Sequence, residues 1–145
     1  MAGTTNGTGA ALRELDEQEC LRLISPGGVG RVAFTGSYGP TILPVNYRLV
    51  GGLIVFRTRV GGVMDEDLRT GIKDLEFKIA FEVDEIDRAR HEVWSVLVQG
   101  PIHHITADEL AQMGDPEVES WAGGSRERYL RITPQRVTGR RIQSL

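Results

Sequence analysis

The stretch TILPVNYRLVGGLIVFRT, residues 41–58, constrains the fold more than any other part of this chain. Two apolar runs flank Gly51-Gly52, and glycine accepts the positive φ that a two-residue hairpin turn demands. Alternation puts Leu43, Val45, Tyr47 and Leu49 on one face and Pro44, Asn46 and Arg48 on the other. Proline has no N–H to give to a ladder, so Pro44 marks an edge or a bulge.

The same alternation recurs along the chain. VGRVAFT (29–35) reads as a strand before a turn-rich GSYGP. FKIAFEVDEID (77–87) places Phe77, Ile79, Phe81 and Val83 on one face. Residues 93–105 form a long strand interrupted by Gly100-Pro101, and 129–132 and 137–142 close the chain as strands. Helical spacing is short and local. Residues 12–24 read as a helix with Asp16 as N-cap and Glu19 at the capping-box position, stopped by Ser25-Pro26-Gly27-Gly28. Residues 64–73, 106–113 and 116–121 are further short helices, the second with Thr106 as N-cap. Hairpin-connected strands dominate, so the expected class is mostly β (α+β). Six or seven antiparallel strands closing into a barrel, with a few short helices, would remove exposed edges.

A chain of 145 residues makes one domain with a real core. Residues 1–11 read as a flexible tail and 12–145 as the domain. A net charge of −3 leaves no basic field for nucleic acid or anionic membrane. No apolar run reaches the ~20 residues of a membrane-spanning helix, and no signal-peptide pattern opens the chain. Cys20 is the single cysteine, so no internal disulfide forms and a cysteine-based zinc site is not expected. The expected location is the cytoplasm.

Several motifs carry chemistry on paper. Gly28-x-Gly30-x-x-Ala33 matches a dinucleotide fingerprint in letters, but the order here is helix, turn, strand, and the fingerprint needs strand, turn, helix. His91, His103 and His104 are the only histidines, and the adjacent pair points to opposite faces of a strand. No metal site is expected. Glu82 and Asp84 lie on the strand face opposite Phe81 and Val83, as a solvated face or as ion pairs at a dimer rim. Residues 125–145 hold six arginines against Glu127 alone. They either pair with the acidic 108–119 region or a partner subunit, or meet phosphate groups. Arg57-Thr58 at the end of the hairpin, followed by Gly61-Gly62, offers a guanidinium fork, a hydroxyl and a glycine loop able to turn N–H groups toward an anion.

Taken in order, GVGRVAFT, PVNYRLVGGLIVFRT, AFEVDEID, WSVLVQG and GRRI resemble the pyridoxamine 5′-phosphate oxidase-like family, over residues 12–142 and most closely its small actinobacterial members of unknown substrate. The resemblance implies a split β-barrel, a homodimer with a small-molecule cofactor at the subunit interface, and FMN as the usual cofactor, with the deazaflavin cofactor or haem in some relatives. By motif position it places Pro44, Val45, Asn46 and Tyr47 along the flavin ring, their backbone groups meeting its polar edge. It places Arg57 and Thr58 at the phosphate, with Gly61 and Gly62 in the loop. Trp94, Ser95 and Arg140 would approach from the partner chain. Many relatives carry Gly-Ser-Lys where this chain has Gly61-Gly62-Val63, and Asp65-Glu66-Asp67 follows closely. The implied function is a flavin- or deazaflavin-dependent oxidoreductase. The alternatives are a non-catalytic dimeric module with weakened or lost flavin binding, and a haem protein with a histidine ligand. No catalytic residue is assigned; Tyr47 is a proton-donor candidate by residue type alone.

Overall fold

A computed structural model describes residues 10–59, 77–114, 116, 118 and 127–144. Among these residues, eight strands and two helices follow one another as β1 (Ala10–Leu15), α1 (Glu17–Ile24), β2 (Gly27–Gly36), β3 (Gly39–Val50), β4 (Leu53–Arg59), β5 (Phe77–Asp87), β6 (Glu92–His104), α2 (Ala107–Met113), β7 (Glu127–Ile132) and β8 (Arg136–Ser144). All strand pairs are antiparallel. The order across the sheet is β1-β8-β6-β5-β2-β3-β4-β7, and an added β6–β7 pairing closes the ring. Six strands therefore form the barrel, and β8 and β1 extend from it as a wing on β6.

The 41–58 hairpin forms as its alternation predicts. Tyr47–Val50 pair with Leu53–Phe56 across Gly51 and Gly52, whose φ values are 56° and 83°. Both lie in the left-handed region that the tight turn requires.

Closure depends on β6, which is long enough to serve two partners. Residues 93–99 pair with β8 and residues 102–104 pair with β7. The change occurs at Gly100-Pro101, the interruption visible in the sequence. The β7–β8 connection crosses the backbone at that point, donating from Thr133 N to Pro101 O (3.0 Å) and from Gln135 N to Gln99 O (2.9 Å). A Cβ on residue 100 would stand 1.9 Å from the Thr133 carbonyl oxygen, so the crossing admits only glycine.

The inward residues of the strands fill the barrel. Val32, Ile54, Phe56, Phe81, Val96, Val98, Leu130 and Ile132 are fully buried. Phe81 packs edge-on against Tyr47, with ring centroids 5.0 Å apart. From α1, Cys20 and Ile24 join this core.

The entry of α1 differs from expectation. The helix spans Glu17–Ile24, and the preceding Ala10–Leu15 is a strand in register with β8, Leu12 opposite Ile142 and Leu15 opposite Gly139. Asp16 explains the boundary. It caps the helix, accepting from Glu19 N at 2.8 Å with an extended backbone, so the residues before it leave the helical path. The expected capping box at Thr106 forms too: its hydroxyl accepts from Glu109 N at 3.1 Å and donates to Glu109 Oε1 at 3.2 Å. The helix expected at 64–73 lies outside the described residues, as does most of the one expected at 116–121.

Candidate functional site

The barrel wall opens between β3 and β4. Their ladder spans only four pairs, Tyr47–Val50 with Leu53–Phe56. Beyond it β3 continues against β2, with Asn46 opposite Val29 and Pro44 opposite Arg31. Past the ladder β4 turns to β7, with Arg57 opposite Tyr129 and Thr58 opposite Arg128. The edge of β3 turned away from β2 thus has no strand partner over residues 39–45 among the described residues. Pro44 sits in that half, as a residue without an N–H must.

At the mouth of this opening stands Arg57. Its Nη1 donates to Val118 O at 3.1 Å, and its guanidinium lies 5.5 Å from the centroid of the Tyr129 ring. A guanidinium carries five N–H donors in a planar fork. Thr58 is half-buried beside it. Gly61, Gly62 and Val63 lie outside the described residues.

The four β3 residues divide by face. Pro44 and Asn46 point outward. Val45 packs against the core, and Tyr47 belongs to it. The Tyr47 hydroxyl donates to Ile24 O at 2.6 Å, and burial pushes its pKa up to about 12. Its side chain is a structural tie between β3 and α1. The proton-donor role considered from residue type has no geometric basis, and only its backbone can meet a ligand.

Trp94, Ser95 and Arg140 form a second group, with β5 and β2 between it and the β3 edge. Ser95 is opposite Asp84 on β5 and Arg140 on β8, and Arg140 is opposite Glu14 on β1. Ser95 and Arg140 line one outer-face cavity of ≈ 530 Å³ with Glu14, Glu82, Arg136 and Thr138. Trp94, one residue from Ser95, points the other way and packs against the core. One protomer therefore holds the candidate residues in two separated groups.

Glu82 was read from sequence as a bystander, and the fold makes it a member of that cavity. Arg31 Nη1 is 3.7 Å from Glu82 Oε1 and 3.5 Å from Asp84 Oδ2. Burial first, then the hydrogen bond and charge of Asp84, raise the Glu82 pKa to about 7 against the pull of Arg31. Only the cross-strand register brings these groups together, which is why the sequence pattern did not single Glu82 out. The arginine-rich C-terminus also finds an acidic-region partner: Arg131 Nε pairs with Glu109 Oε2 at 3.1 Å and its Nη1 donates to Thr133 Oγ1 at 3.2 Å.

Among the described residues no group of three or more His, Cys, Asp or Glu side chains is arranged to hold a metal. His91 sits in the β5–β6 turn with φ 54°, and His103 and His104 end β6 opposite Arg131 and Leu130. Burial, followed by Asp16, Glu19 and Glu17, raises the Cys20 pKa, which keeps it a packing thiol. No helix among the described residues is long and apolar enough to cross a membrane.

This closed ring with a split wall and a β6-borne wing matches the family that the motif order suggested. The family model for pyridoxamine 5′-phosphate oxidase matches residues 16–141. The chain belongs to the pyridoxamine 5′-phosphate oxidase-like family. Within it, an uncharacterized Mycobacterium tuberculosis protein, Rv0080, is 33% identical over 129 residues, covering 89% of this chain and 84% of that protein. A Corynebacterium glutamicum structure with a provisional pyridoxamine 5′-phosphate oxidase assignment is 30% identical, with a TM-score of 0.75, and the match covers 92% of this chain and 95% of that one. An FAD binding protein from Mycobacterium smegmatis shares the fold at 24% identity and a TM-score of 0.70, over 90% and 97% of the two chains.

Proposed function

We propose that this chain binds a flavin, FMN or FAD, along the open edge of β3, with its phosphate end at Arg57, as a homodimer whose partner supplies Ser95 and Arg140. The observation that carries the reading is the edge of β3 over residues 39–45, which has no strand partner among the described residues and ends beside a guanidinium. A strand edge presents alternating N–H and C=O groups. The pyrimidine edge of a flavin presents matching acceptors and a donor. Arg57 is the type of residue that binds phosphate through parallel donors. Membership of the family and the FAD-binding neighbour of the same fold support the choice of flavin, and the deazaflavin cofactor is the variant with the same edge.

A bound flavin would supply hydride and electron transfer. The chain's own residues would bind and orient it and exclude water from one of its faces. Glu82, its pKa raised to about 7 by burial and by Asp84, would hold a dissociable proton beside Ser95 and Arg140 in the group contributed by the partner. The two separated groups in one protomer support the dimer, because a two-fold arrangement brings one of each together.

A second reading, a family member that carries a ligand without turning it over, is favoured by the contact of Arg57 with Val118 O and by Val63 in the place of a lysine. Visible absorbance on titration with FMN, FAD and deazaflavin, followed by mixing with NADH and NADPH, separates the two. Saturable binding with oxidation of the reduced nicotinamide supports the oxidoreductase. Binding without turnover supports the carrier. A Val63→Lys variant is expected to bind FMN about 10- to 150-fold more tightly, the value of one charge-assisted contact. The haem alternative would take its axial ligand from His91, His103 or His104, and a Soret band on haem titration would support it.

A further inference from the structure

The outer face carries a second concavity beside the one at Ser95 and Arg140, with Arg136 lining both. One transverse row runs Ile42–Ala33–Ala80–Gln99–Arg136 across β3, β2, β5, β6 and β8, each residue directly opposite the next. Directly opposite residues of an antiparallel pair share a face, about 5 Å apart. The two alanines at its centre leave a trough, and their larger neighbours raise its sides. Pro40, Thr35 and Lys78, two residues along on the same face, extend it to a cavity of ≈ 600 Å³.

Its chemistry is one-sided. Pro40 and Ile42 make one wall apolar, and Ile42 is 65% exposed. Lys78 and Arg136 stand on the other wall with Gln99. No Asp or Glu lines the cavity. Neither the Lys78 nor the Arg136 side chain has a hydrogen bond or ion pair among the described residues. Two cations without a counter-ion facing an apolar wall across a trough of small residues complement a molecule with an anionic head and an apolar body. The volume falls within the roughly 300–1,000 Å³ usual for small-molecule sites.

We infer that this trough binds a small carboxylate with an aryl or alkyl body, its carboxylate between Lys78 and Arg136 and its body on Ile42, Pro40 and the two alanines. Ile42 is two residues from Pro44 on the same face of β3, so the occupant would abut the flavin ring; its role as a substrate rests on the flavin reading above, and its binding does not.

The full chain without flavin is titrated calorimetrically with 2-naphthoate and with neutral 2-naphthamide. The expected result is saturable binding of one naphthoate per chain, at least about tenfold tighter than the amide, the equivalent of one retained charge interaction. Lys78→Glu and, separately, Lys78→Met should each weaken naphthoate binding about tenfold or more, with an unchanged melting temperature confirming the fold. The same Lys78 variants should change flavin affinity by less than about twofold. Naphthoate binding in a chain that binds no flavin keeps the site and removes its role as a flavin substrate site. Absent saturation, equal affinity for the amide, indifference to Lys78, or self-association that closes the trough without admitting naphthoate overturns the inference.

Discussion

Arg57 and Tyr47 show how far a residue type can be read before its surroundings are known. Both were legible as members of the motif that carries the family resemblance, and the fold gives them different tasks. Arg57 stands past the end of the β3–β4 ladder, its Nη1 donating to Val118 O. Tyr47 has its hydroxyl committed to Ile24 O at 2.6 Å inside the core. No local pattern announces that commitment, because its acceptor lies 23 residues away at the end of α1. A Tyr47→Phe variant is expected to lose about 1–2 kcal/mol of stability, the range for a buried hydrogen bond whose acceptor is left behind. Its flavin affinity should stay within about twofold. Denaturant unfolding and a flavin titration on the same preparation check both, and a large loss of affinity at unchanged stability would return the phenol to the site. Gly100 makes the companion case. Gly100→Ala is expected to lower stability by about 2 kcal/mol or more, since the β7–β8 crossing must move to admit a methyl group. A thermal melt within a few degrees of the parent would contradict the close approach.

At the scale of elements, β5 carries a pH dependence that its sequence did not reveal. Alternation correctly put Glu82 and Asp84 on the outer face, but that they share Arg31 is fixed by the pairing of β5 with β2 at Arg31↔Glu82. In the folded chain Glu82 holds its proton up to about pH 7; unfolded, it releases it near 4.5. Between those values the folded state binds more protons, so stability is greatest at the acidic end of the window and falls as pH rises through about 7. Glu82 is about one-third exposed and partly screened, so the loss should be on the order of 1 kcal/mol. Glu82→Gln should flatten this part of the stability profile and leave the variant more stable than the parent at pH 8. Denaturation midpoints taken from pH 4.5 to 8 test it, and parallel profiles for the two proteins would sink it. Helix α1 teaches the converse lesson. The cap at Asp16 was plain in the sequence, yet Leu12 and Leu15 were counted into the helix because their spacing also fits one. The cap residue itself decides the matter, and tertiary pairing with β8 claims the segment before it.

The architecture of the whole molecule was largely legible because nearly every strand buries one face. That makes alternation clean in β2, β3 and β5, and it makes Gly51-Gly52 and Gly100-Pro101 conspicuous punctuation. Two things were not legible. The first is β1, read as part of the helix, since a strand at a sheet edge has a weaker pattern than one inside the barrel. The second is the grouping of site residues, since Ser95, Arg140, Glu82 and Glu14 converge only through pairings distant in sequence. The separation of the two groups by β5 and β2 gives the dimer proposal its structural reason: neither group alone surrounds a flavin.

Flavin affinity of the full chain with Arg57 intact and replaced tests the central claim most directly. FMN and FAD are titrated into the parent protein and into Arg57→Ala, with fluorescence quenching as the signal and circular dichroism as the check on folding. The account predicts saturable binding by the parent and a loss of about 10- to 150-fold in the variant, the value of a charge-assisted contact. A parent that fails to saturate with either flavin, or a folded Arg57→Ala that binds as tightly as the parent, would contradict it.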